Sequence, residues 1–142
     1  MTGNPATILM VDDDKVDVKA LKRALRELKI ANPVVEAANG IEALECLRGE
    51  NGREKIAPPC LVLLDLNMPR MTGIEFLAEL RADPALRRTL VFVMTTSAAE
   101  DDRMQAYDKN VEGYVLKHNP GQSFLDSINK LECYWRIVEF PD

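Results

Sequence analysis

Cysteine, histidine and positive charge are all in short supply in this chain. Its three cysteines, Cys46, Cys60 and Cys133, show none of the close pairing that zinc and redox sites use, so they read as reduced, mostly buried thiols. His118 is the only histidine. Lys and Arg number 18 against 23 Asp and Glu, a net charge of −5 with a pI near 5.0. That balance leaves no basic patch able to neutralise a run of phosphates, which argues against a nucleic-acid partner. No apolar stretch is long enough to span a bilayer. Met1 to Pro5 lacks the basic-then-apolar order of a secretory signal, so the expectation is a cytoplasmic protein without membrane contact. At 142 residues there is room for one core, and residues 1–142 read as a single domain.

Within that domain four short apolar runs stand out: Ile8 to Val11, Leu61 to Leu64, Leu90 to Met94 and Tyr114 to Leu116, with Val34-Val35 as a weaker fifth. Runs of this length without alternation predict strands buried on both faces. Between them, Val18, Leu21, Leu25 and Leu28 fall on one helical stripe, as do Ile41, Leu44 and Leu47. A third helix carrying Ile74, Leu77 and Leu80 should stop before Pro84, because a residue preceding proline is pushed out of the helical region. Ser97 and Glu100 have capping-box spacing and mark a fourth helix; a fifth runs from about Ser123 toward Trp135. Gly49 to Pro59 reads as a polar surface loop. Strands alternating with helices predict right-handed crossovers and a doubly wound, five-stranded parallel α/β sheet.

In such a fold the binding crevice lies beyond the carboxyl ends of the strands. Numbered as strands in chain order, the first empties into Asp12-Asp13-Asp14, the third into Asp65-Leu66-Asn67, the fourth into Thr95-Thr96-Ser97 and the fifth into Lys117. Asp14 has the placement of a helix cap rather than a ligand. Carboxylates gathered at one crevice repel one another and are usually kept only where a cation compensates. Oxygen-only ligands point to Mg²⁺. A carboxylate beside Mg²⁺ and a lysine can attack a phosphoryl group, since both cations offset charge on the transferred oxygens.

Taken in order, Val11-Asp12-Asp13, Leu64-Asp65, Met68-Pro69 with Gly73, Met94-Thr95 and Tyr114-Val115-Leu116-Lys117 resemble the landmarks of response-regulator receiver domains. The match runs from about Ile8 to Leu131, leaving 132–142 as a C-terminal extension. The resemblance implies the flavodoxin-like strand order 2-1-3-4-5. It implies that Asp65 accepts a phosphoryl group from a sensor histidine kinase, with Asp13, Asp65 and the Asn67 carbonyl on Mg²⁺ and Asp12 acting through water. Lys117 would pair with Asp65, Thr95 would donate to the new phosphoryl group, and Tyr114 would change rotamer as part of the switch. By the same resemblance, Asn67 and Ser97 occupy positions that in this family tune hydrolysis of the acyl phosphate. Stand-alone regulators that partner phytochrome-type kinases are the nearest likeness, by the longer loop before the third strand and the closing segment Tyr134 to Pro141. Such a regulator catalyses only its own phosphorylation and dephosphorylation.

One departure from the family is that His118, not proline, follows Lys117. A cis bond before histidine costs about 3 kcal/mol more than before proline, so a trans bond is expected there. His118 reads either as an exposed loop residue or as a group whose pKa rises beside the acidic cluster. Two other functions fit less well. A flavin or nucleotide carrier needs a Gly/Ser/Thr-rich first loop, where this chain has three aspartates. An aspartate-nucleophile phosphatase needs a second carboxylate at Asn67 as its general acid. Tyr134, Trp135, Ile137, Val138 and Phe140 form an apolar tail that must be covered, by folding back or by a homodimer through the fourth and fifth helices and the tail.

Overall fold

A computed structural model describes residues 7–27, 32–56, 60–65, 71, 73–95 and 113–116, with 95 and 113–116 described as backbone. In chain order these are β1 (Thr7–Val11), α1 (Lys15–Glu27), β2 (Val34–Ala37), α2 (Gly40–Arg48), β3 (Cys60–Asp65), α3 (Gly73–Ala82), β4 (Leu90–Thr95) and β5 (Gly113–Leu116). The five strands form one parallel sheet in the order β2-β1-β3-β4-β5, as expected. The fourth and fifth helices expected from Ser97 and Ser123, the tail and the peptide bond after Lys117 lie outside the described residues.

Because successive strand residues face opposite sides, the apolar runs feed two cores. Leu9, Val11, Val62, Leu64, Val91 and Val93 face α2 and α3, where Leu44, Leu47, Phe76, Leu77 and Leu80 meet them. Ile8, Met10, Leu61, Leu63, Phe92 and Met94 face α1 and its Val18, Leu21 and Leu25. Ile8 to Val11 and Leu61 to Leu64 have no exposed surface, and each such side chain contributes about 1.5–3 kcal/mol on burial. β2, an edge strand, buries only Ala37 fully, which explains its weak signal.

Local signals set the helix ends. Asp14 caps α1: its Oδ1 accepts from the Val16 N–H at 2.8 Å, and its carbonyl accepts from Val18 at 3.1 Å. α2 starts at a cap that the sequence reading did not single out. Asn39 Oδ1 accepts from the Glu42 N–H at 2.9 Å, while Glu42 Oε1 accepts from the Ala38 N–H at 3.1 Å. α2 ends at Gly49, in the left-handed region at φ 71°, whose N–H donates to the Glu45 carbonyl at 2.8 Å. α3 stops at Ala82, short of Pro84 as expected.

The segment after α2 is exposed at its tip, but it is not merely a surface loop. Ile56 is 9% exposed, belongs to the core and donates its N–H to the Cys46 carbonyl at 3.1 Å. Arg53 Nε reaches Glu45 Oε1 at 3.1 Å, so the segment straps back over α2. Beneath it Cys46 is buried and free, and Cys60 is partly buried and free. Burial pushes the Cys46 thiol up against the opposing pull of Arg53. Burial, aided by Cys46, pushes the Cys60 thiol up to about 12. Both are therefore protonated near neutral pH, consistent with inert thiols; Cys133 lies outside the described residues.

Candidate functional site

Parallel pairing brings the strand ends together. Val11 pairs with Leu64, so Asp12 and Asp65 emerge side by side at the carboxyl edge of β1 and β3. Asp65 pairs with Met94, which sets the Thr95 backbone one residue beyond that rung, and Thr95 pairs with Leu116, the residue before Lys117. Tyr114 pairs with Val93, further back in the sheet. Asn67, Ser97, Lys117 and His118 lie outside the described residues.

Ligand oxygens of Asp12, Asp13 and Asp65 all lie within 4.8 Å of one another. Asp12 and Asp65 are each 4% exposed, whereas Asp13 opens to solvent. The Asp12 main chain is held by its N–H on the Ala37 carbonyl at 3.0 Å. Its Oδ1 accepts from the Asp14 N–H at 2.8 Å, an Asx-type turn that fixes the carboxylate and starts α1. That contact is a detail the sequence reading missed, although an Asp two residues before a helix cap is its signal. The positive end of the α1 dipole begins at Lys15, immediately after the three aspartates.

Two unit charges 4 Å apart repel by about 1 kcal/mol in water and about 4 kcal/mol near a protein surface. Three carboxylates this close, two of them withdrawn from solvent, favour a cation among them. Their donor set of oxygens alone, with one exposed member leaving a path for water, fits a hard divalent ion. A separate open groove of about 540 Å³ lies between α2 and α3, and none of the three carboxylates lines it. No helix among the described residues is long and apolar enough to cross a membrane.

Comparison with known proteins agrees with this geometry. Residues 8–129 match the family described as the response regulator receiver domain. The response regulator Rcp1 of Synechocystis is 33% identical, over 92% of this chain and 89% of that protein. The Mn²⁺-bound form of Rcp1 superposes with a TM-score of 0.74 at 34% identity, covering 97% of this chain and 100% of the other. The phosphorylated cyanobacterial phytochrome response regulator RcpA gives 0.76 at 35% identity, covering 97% and 99%. With its five parallel strands in receiver order and its acidic triad at their carboxyl edge, the chain belongs to the response-regulator receiver domains of two-component signalling.

Proposed function

We propose that Asp65 is the phosphoacceptor of this receiver and that it works with Mg²⁺. The observation that carries the reading is the convergence of Asp12, Asp13 and Asp65 oxygens within 4.8 Å, with Asp65 the one that terminates the central strand β3. Asp13 and Asp65, with the Asn67 carbonyl, would hold the metal, and Asp12, fixed by the Asp14 amide, would act through water. The bound ion supplies charge neutralisation for the transferred oxygens.

An Asp65 oxygen attacks phosphorus in line, and the bond from phosphorus to the phosphohistidine nitrogen of a sensor kinase breaks as the acyl phosphate forms. Lys117 pairs with the new phosphoryl oxygens, and Thr95 donates to one of them. Tyr114 follows by changing rotamer, while Asn67 and Ser97 set how fast water reverses the bond. The chain thus acts on no substrate but its own aspartate. Phytochrome response regulators among its structural relatives favour a phytochrome-type kinase as the donor, working in the cytoplasm.

Incubation with acetyl phosphate and Mg²⁺ should label wild type on Asp65, and Asp65→Asn should abolish stable labelling. Acid-stable phosphate on Thr95 or Ser97, or full labelling of the Asn variant, would overturn the assignment. The apolar tail from Tyr134 to Phe140 supports a two-fold dimer through the fourth and fifth helices, with Trp135 as its anchor. Light scattering should show a wild-type dimer that Trp135→Ala dissociates; a wild-type monomer at every concentration would reject it.

A further inference from the structure

Two Asn-Gly pairs occur in this chain, Asn39-Gly40 and Asn51-Gly52, and the fold puts them in opposite situations. Asn-Gly is the dipeptide least hindered toward attack of a main-chain nitrogen on the preceding side-chain amide, because glycine has no Cβ and tolerates the required backbone rotation. We infer that Asn51 is a site of spontaneous deamidation through a cyclic imide, and that the fold shields Asn39 from the same reaction.

At the second pair the backbone is open, and a single exposed hydrogen bond, from Asn51 Nδ2 to Glu45 Oε2 at 3.0 Å, holds the side chain. Asn51 and Gly52 are both exposed, at the tip of the strap that follows α2. Both have positive φ, 54° and 79°, a region that asparagine visits at modest cost and glycine freely. A Cβ placed on Gly52 would meet no atom within 4 Å. Among the described residues nothing accepts the Gly52 N–H, which leaves that nitrogen open to base.

Hydroxide or a buffer base removes the Gly52 amide proton, and the nitrogen attacks Asn51 Cγ. The Cγ–Nδ2 bond then breaks, and Nδ2 departs as ammonia after taking up a proton from water. Water next opens the five-membered imide at either of its two C–N bonds, giving aspartate or isoaspartate. The balance is one water consumed and one ammonia released, with no oxidant or reductant.

At the first pair the asparagine is buried and bonded, and the glycine is hemmed in. Asn39 is 5% exposed and acts as the α2 cap, with Oδ1 accepting from Glu42 at 2.9 Å and Nδ2 donating to Glu42 Oε2 at 3.5 Å. Gly40 is wedged against Met71, whose Cγ and Sδ stand 2.8 Å from where a Cβ would be. Rotation of this peptide must break both hydrogen bonds and displace Met71, which slows the reaction about tenfold or more if each bond has its ordinary net worth.

The product changes the strap. Asn51 Nδ2 now donates to Glu45 Oε2 at 3.0 Å, beside the Arg53–Glu45 pair. After deamidation a second carboxylate faces Glu45, so an attraction becomes a repulsion and a competitor for Arg53 appears.

The test is prolonged incubation of the full chain at mildly alkaline pH, followed by peptide mapping and isoaspartyl methyltransferase labelling. Isoaspartate should accumulate in the Asn51 peptide about tenfold or more faster than in the Asn39 peptide. Asn51→Gln should remove it, because the larger ring closes slowly. In concentrated urea the two sites should converge, since unfolding removes the shield. Equal rates in the folded chain, faster reaction at Asn39, or a difference that persists in urea would each overturn the inference.

Discussion

Within β1 and β3, Ile8 to Val11 and Leu61 to Leu64 have no exposed surface, whereas the residues that follow, Asp12 and Asp65, are carboxylates exposed by only 4%. The interior and the carboxyl edge of the same two strands thus solve opposite problems. Inside, every side chain is hydrocarbon and gains from leaving water. At the edge, two charges are withdrawn from water and set within 4.8 Å of each other and of Asp13, an arrangement that costs stability until a cation arrives. Their proximity teaches that the sheet interior supplies the rigidity with which the edge holds its mutually repelling groups.

The sharpest way to break this comparison is to weaken the interior. Leu63→Ala leaves a cavity between the sheet and α1 and should destabilise the domain by about 2–5 kcal/mol in urea unfolding. A loss below about 1 kcal/mol would mean that the core collapses to fill the space and that the interior is not the rigid half. A change at the edge should act in the other direction. Asp13→Ala should leave the metal-free protein as stable or more stable, because it removes one like charge, while most Mg²⁺ affinity disappears. Thermal melts with and without the ion check both halves; unchanged affinity would place the metal elsewhere.

The smallest effect concerns Cys60, a partly buried thiol packed against the core. With Cys60 pushed up to about 12, the folded chain keeps a proton that the unfolded chain releases near 9.0. The folded state therefore binds more protons in that window, so this group's contribution is full below pH 9.0 and declines as pH rises toward 12. Cys60→Ser should flatten part of the alkaline loss of stability relative to wild type. Identical slopes for the two proteins would show that other groups account for it.

Legibility followed the range of the physical signal. Continuous apolar runs announced β1, β3 and β4, because strands buried on both faces admit little else. β2 showed only Val34-Val35, since an edge strand is half solvated. Asp12, Asp13 and Asp65 were readable as candidate site residues because each follows an apolar run. The Asn39 cap was missed because Asn-Gly also reads as a turn, and Ile56 because it stands alone between the polar Arg53-Glu54-Lys55 and Ala57-Pro58-Pro59.

The amino-acid sequence alone determined the alternation of strands and helices, the acidic residues at the strand ends and the chemical class of the site. These follow from periodicity and from neighbours a few positions apart, which short-range sterics and burial translate directly into local structure. Only the tertiary structure decided that the three carboxylates meet within 4.8 Å, that an Asp12 oxygen is held by the Asp14 amide, and that Met71 closes over one Asn-Gly pair while the other faces solvent. Those outcomes depend on the register of strands and the seating of helices far apart in the chain, where no local pattern specifies which atoms come together.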